Sequence, residues 1–219
     1  ELLLLLSVMK TFLYIFLLLV SINSFSMNLD SLENVLETTE IDSVKISMYH
    51  KISWELRSSE PDKALEYALK GIKLAKIIND KNGIESCLNN VGVIKAMQGE
   101  FDESIDYFTK NLEINIELKK REGEATANNN IGLVYYYKGD FTKAVEHYIL
   151  SLNIYDELND EDGKASTYNN LGLIYENNTD YDKSLYYQKK ALEVRLKQND
   201  VQNLAFSYGN IGNIFYLKD

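Results

Sequence analysis

From about residue 45 onward the apolar residues of this chain fall at helical spacing and stop at regular intervals. In "NNIGLVYYYKGDFTKAVEHYILSLNIY", residues 129–155, the apolar positions are Ile131, Val134 and Tyr135, then Phe141, Ala144, Val145, Tyr148, Leu152 and Ile154. Steps of three and four place each group on one face of a helix. Between them stands "KGD", where Gly139 ends the first helix and Asp140 caps the second. "NDEDG" follows, with Asp160 placed to cap the next helix.

The pattern repeats with a period of 40. Gly92, Gly132, Gly172 and Gly212 keep that spacing, as do Gly83, Gly123 and Gly163, and the pairs Glu100-Phe101, Asp140-Phe141 and Asp180-Tyr181. The units run 45–84, 85–124, 125–164 and 165–204, and residues 205–219 restart a first helix. Residues 45–84 are a degenerate copy: "PDKALEYALKGIKLAKIINDKNG" keeps the second helix, while the first has lost the Asn-Asn pair and the glycine and carries Trp54. The first unit of a stack has no upstream neighbour, so its outer face is free to diverge. Residues 27–44 form a leading helix and linker, with Asp30 and Glu33 at capping-box spacing. Tyr208, Ile211, Ile214 and Phe215 restart the apolar stripe, and the expectation is a fragment of a longer polypeptide.

A mid-helix glycine costs about 1 kcal/mol against alanine, so close approach of a partner helix is expected at Gly132. Its replacement by leucine should overpack that contact.

Residues 1–26 do not share the pattern. Met9 and Lys10 precede an apolar run from Phe12 to Val20, and Ser24 and Ser26 stand at the positions a signal peptidase requires. The expectation is a cleaved export signal with Met9 as the start, since Lys10 in mid-span disfavours a membrane anchor.

Charge narrows the partners. The chain carries a formal charge of −10. Loss of residues 1–26 removes one acid and one base and leaves that excess intact. An acidic exported chain repels nucleic-acid phosphates and anionic lipid heads, so neither nucleic acid nor direct membrane contact by the repeats is expected. A single Pro and 11 Gly against 16 Tyr favour regular helix over a turn-rich β fold. Cys87 stands alone in apolar surroundings, as a small core residue would.

No catalytic constellation is present. His50 and His147 are the only histidines and lack metal-ligand spacing, and there is no nucleophile elbow, zincin motif or phosphate loop. No catalytic residue, metal or cofactor is expected in this segment, and no enzyme activity.

The pattern W/L-x-x-L-G-x-x-Y, followed by G-x-F/Y and A/S-x-x-x-F/Y, resembles the tetratricopeptide repeat. Its 40-residue period is similar to the longer subtype of kinesin light chains and bacterial peptide-sensing regulators. The resemblance covers residues 45 to 219 and implies an all-α fold, an α-solenoid (right-handed superhelix) of antiparallel helix pairs. It also implies that the first helices line a concave groove holding a protein or extended peptide. On those helices Ser86, Asn89/Asn90, Val93 and Met97 share a stripe. The matching stripes are Thr126, Asn129/Asn130, Leu133 and Tyr136/Tyr137, then Ser166, Asn169/Asn170, Leu173 and Glu176. Asn210, Asn213 and Tyr216 continue them. A carboxamide donates and accepts at once, so a row of them suits a peptide backbone. Nearly equally, one Asn of each pair could bond to a neighbouring helix and fix the stacking, with Asn90, Asn130 and Asn170 the ones favoured for ligand contact. Chaperone-binding relatives grip a terminal carboxylate with lysines and an arginine, and the corresponding positions here are Asn, Ser and Thr.

An export signal followed by such repeats resembles the extracytoplasmic input region of bacterial membrane-bound signalling proteins, including sensor histidine kinases. That implies a periplasmic sensory module, with a transmembrane helix and an output domain beyond residue 219. The alternative is a secreted or envelope-associated scaffold without an output domain.

Overall fold

A computed structural model describes residues 29–198 and 201–218, so the expected export signal lies outside the described residues. Every regular element among the described residues is an α-helix. They are α1 (29–38), α2 (Asp42–Leu56), α3 (Pro61–Ile77), α4 (Lys81–Met97), α5 (Phe101–Glu117), α6 (Arg121–Lys138), α7 (Phe141–Leu158), α8 (Glu161–Asn177), α9 (Tyr181–Gln198) and α10 (Val201–Lys218). The chain divides within α4, after Asn90, into two compact units.

In the first unit α2 packs on α3, and Ile46, Ile52, Leu56, Ala64 and Ala68 are buried. The capping box expected at Asp30 is absent, because α1 already includes residue 29. Glu33 turns instead to α3, accepting from the Tyr67 hydroxyl (3.0 Å) and pairing with Lys63 Nζ (3.4 Å). Cys87 is fully buried, and burial pushes its thiol up to about 12, so it is an inert core residue.

In the second unit α6 pairs with α7 and α8 with α9, while α5 packs on α6, α7 on α8 and α9 on α10. Second helices bury positions four, three and four apart: Ser104, Phe108, Asn111 and Asn115 in α5, Ala144, Tyr148, Ser151 and Tyr155 in α7, Ser184, Gln188, Ala191 and Arg195 in α9. The glycine of each first helix receives the second of these. A Cβ on Gly92 would stand 2.7 Å from the Phe108 ring, on Gly132 2.9 Å from Tyr148, and on Gly172 2.6 Å from Gln188. The Ser104 hydroxyl donates to the Gly92 carbonyl (2.7 Å) and Ser184 to that of Gly172 (2.8 Å). Ala144 keeps the same place without a hydroxyl.

The turns are built alike. Asn79, Lys119, Asn159 and Thr179 have φ of 53 to 58°, and Gly99 and Gly139 have φ of 80 and 82°. At each, paired bonds close the helix end, as in Gly139 N to Tyr136 O (3.0 Å) and Asp140 N to Tyr135 O (2.9 Å). Asp80, Asp140, Asp160 and Asp180 then cap the next helix, each accepting an amide N–H at 3.0 to 3.2 Å. The caps expected at Asp140 and Asp160 are among them.

Candidate functional site

The asparagines arrive on the first helices because the glycine face of each helix is turned to its second helix, leaving the adjacent stripe toward neighbouring first helices. In the first unit Asn90 is buried at 1% exposure and its Nδ2 donates to the His50 carbonyl (2.8 Å), while Asn89 is half-buried. In the second unit the pairs link one repeat to the next. Asn170 Nδ2 donates to Asn129 Oδ1 (3.3 Å) and Asn210 Nδ2 to Asn169 Oδ1 (2.9 Å), so the Asn at the second position of one repeat, Gly209 standing at the first position beside Asn210, meets the first Asn of the preceding pair. Gln188 braces the junction, donating to the Asn169 carbonyl (3.1 Å). Further along the same stripe Asn177 Nδ2 donates to the Tyr136 hydroxyl (2.8 Å), and Asn213 Nδ2 to Glu176 Oε1 (2.7 Å). A carboxamide has two N–H groups and two lone pairs. Each cross-repeat bond uses one N–H and one lone pair, so stacking and backbone recognition do not exclude each other.

Beside the pairs a pocket of about 470 Å³ opens on the first-helix face of α4 and α6. Val93, Ala96, Leu133 and Val134 line it with Phe101 and Phe108 at its base, and Asn130 is its polar lining residue. Met97 and Tyr137 form part of the wall, and these are 54% and 64% exposed. Among the described residues no charged side chain lines it. The stripe pattern picked out Asn130, Val93, Leu133, Met97 and Tyr137. It missed Ala96, Phe101 and Phe108, which belong to other faces of the sequence pattern and meet only when α4, α5 and α6 are packed.

In the α6–α7 and α8–α9 repeats aromatic rings are paired between first and second helix. Tyr135 stacks on His147 with centroids 5.7 Å apart, and Tyr175 on Tyr187 at 5.4 Å. Lys143 and Lys183 each lie 5.1 Å over the Tyr of their pair. Asn128 Nδ2 donates to the Glu124 carbonyl (2.9 Å), which orients its Oδ1 to accept from His147 Nδ1 (3.0 Å). Burial holds the His147 pKa below the usual histidine value, opposed by the Glu146 charge.

Among the described residues no group of His, Cys, Asp and Glu is placed to hold a metal, and no helix is long and apolar enough to cross a membrane.

Two family models described as tetratricopeptide repeat match the chain, over residues 83–157 and 165–197. No curated protein matches it. Among solved structures it is similar to BtubC (BKLC) from P. vanneervenii, with a TM-score of 0.73 and 20% identity over 89% of this chain and 82% of that one. A Signal Transduction ATPase with Numerous Domains with a tetratricopeptide repeat sensor, from Pyrococcus horikoshii, gives a TM-score of 0.77 at 19% identity, covering 88% of this chain and 30% of that one. A Rap protein complexed with Competence and Sporulation Factor gives 0.73 at 17% identity, covering 90% and 60%. At these identities the likeness is one of fold.

Proposed function

This chain is a tetratricopeptide repeat protein with an all-α solenoid fold, and from that premise we propose that it is a polypeptide-binding module whose site lies on the first-helix face of the unit beginning at Val91. Tetratricopeptide repeats are a non-catalytic interaction fold, and no catalytic role is assigned to this segment. The observation that carries the proposal is the uncharged pocket beside Asn130, open on a face that also presents Met97, Tyr137 and the linked carboxamides. Apolar walls with a few polar groups suit a side chain flanked by its own backbone. Asn129, Asn130, Asn169, Asn170, Asn210 and Asn213 are the candidates for pairing that backbone, with Tyr136, Tyr137 and Glu176 beside them. The Rap protein, solved in complex with Competence and Sporulation Factor, supports a fold of this kind holding a partner molecule.

The module acts outside the cytoplasm as the sensory input of a membrane-bound signalling protein. Support comes from the export-signal pattern of residues 9–26 and the acidic charge, and by likeness from the tetratricopeptide sensor of the Pyrococcus horikoshii ATPase.

Selection of displayed random peptides against the chain, followed by calorimetric titration of the enriched sequences, tests the binding role. Uncharged peptides should be enriched, and Leu133→Asp, which puts a charge in the pocket wall, should weaken them about tenfold or more. Failure to enrich any peptide overturns the binding role. Fusion of residues 1–44 to alkaline phosphatase in a bacterium tests export, and an inactive fusion overturns the sensory placement.

A further inference from the structure

Resting on the polypeptide-binding role, we propose that the pocket beside Ala96 is a socket for one uncharged aromatic side chain of the bound polypeptide, and that it sets the register in which that polypeptide lies.

The repeats themselves carry the comparison. The residue four places before the acidic residue that ends the turn from first to second helix (Glu100, Asp140, Asp180) is Ala96 in one copy, Tyr136 in the next and Glu176 in the third. Tyr136 packs against Phe141 with centroids 5.8 Å apart, over the cluster of Ala144, Tyr148, Leu171 and Ile174. Its hydroxyl accepts from Asn177. Shifted back by 40 positions, every one of these surroundings has a counterpart: Ala96 lies with Phe101 over Phe108, Ile131 and Val134. Phe101 and Phe108 keep the rings of Phe141 and Tyr148, whereas residue 96 gives up its ring, as residue 97 replaces that of Tyr137 with a flexible thioether. The pocket is therefore the space that a phenol fills one repeat further on. In the third copy Glu176 spends its carboxylate on Asn213, so among these three positions only the first is open.

The template fixes the chemistry of the occupant. A ring entering the socket meets Phe101 and Phe108 as Tyr136 meets Phe141 and Tyr148, with edge and offset contacts available. Met97, a flexible thioether, closes on the ring from the side. No lining residue could neutralise a charge, so an acidic or basic side chain would enter at a desolvation cost. Tyr137 occupies the sequence position equivalent to Asn177 and lines the pocket with its ring. One open socket among repeating rungs also breaks the translational degeneracy of a carboxamide row, since backbone pairing alone would accept a peptide shifted by any whole repeat.

Short uncharged peptides carrying a single central Tyr, Phe, Leu or Ala, titrated into the chain, test the socket. Tyr and Phe peptides should bind at least about tenfold tighter than the Ala peptide. Ala96→Tyr should abolish that preference while its melting temperature is held or raised, as Tyr136 shows the ring is accommodated. Ala96→Leu, a smaller filling, should weaken the aromatic peptides in the same direction and guards against misfolding of the first variant. Tyr136→Ala should open a second socket and let peptides with two spaced aromatics bind more tightly. If the wild-type chain binds the peptides with no aromatic preference, or Ala96→Tyr and Ala96→Leu bind them unchanged, the socket is overturned and the polypeptide-binding role stands. If none of the peptides nor any displayed sequence binds, both fall together.

Discussion

Gly132 shows how a single missing side chain decides a helix contact. An added Cβ would lie 2.9 Å from two Tyr148 ring carbons and 3.2 Å from the Ala144 carbonyl, and neither the ring nor the backbone can swing away freely. Gly132→Ala should therefore cost stability despite alanine's better helix propensity, and Gly132→Leu should cost at least about 2 kcal/mol, read from urea unfolding. Gly212 holds the same register with nothing within 4 Å, so Gly212→Ala should be neutral or stabilise by up to about 1 kcal/mol. Equal effects at the two sites would refute the packing account. His147 supplies a second test. Its folded pKa is depressed by burial, so the unfolded chain takes up the proton first as the pH falls. Stability is complete above the unfolded histidine value of about 6.5 and is lost below it, levelling off once the folded pKa is passed. His50, depressed by the same cause, contributes in the same sense. His147→Gln should flatten part of this slope in melts recorded between pH 7.5 and 5, and an unaltered slope would remove His147 as its source.

At the scale of the elements, the helices were legible in the sequence wherever glycine or aspartate marks a boundary. Gly139 and Asp140, and likewise Asp160, announce a turn by residue type. Lys119 and Thr179 make the same left-handed turn and announce nothing, because the fold imposes the conformation on residues that do not favour it. A β-branched residue at positive φ is strained, and Gly99 and Gly139 fill the equivalent place. Thr179→Gly should thus stabilise the chain by about 1 kcal/mol, with a matching rise in melting temperature; a fall would show that the threonine side chain makes a contact worth more than the strain. Asp30 failed as a start signal because residue 29 already lies within α1, and Glu33 instead meets Lys63 and Tyr67 of α3. The Ala96 pocket was invisible because its signal is an absent side chain, legible only when the copies are superposed in space.

For the molecule as a whole, the linked asparagines tie repeat to repeat, and the stability of a repeat array depends on such nearest-neighbour terms. The sequence showed which residues form the pairs but not how they divide their bonds, since a carboxamide's two ends look alike until a neighbour is placed beside it. Asn170→Ala removes the bond to Asn129 and should lower unfolding free energy by about 1 kcal/mol, read by urea titration. Full stability with weakened peptide binding would instead assign that carboxamide to the ligand. The exposed ion pairs, such as Lys138 with Asp102 and Lys218 with Asp182, recur at the same separation but contribute little at the surface.

From α3 to α9, turns of two or three residues leave little slack between helices. One codon inserted within α6 would rotate everything after it by about 100°, carrying Asn129 away from Asn170 and Gly132 away from Tyr148. A coding sequence under that constraint changes length tolerably only by in-frame duplication or loss of the whole forty-codon cassette. Duplication or loss of a whole unit is then the mutational route by which such a surface gains or sheds a rung.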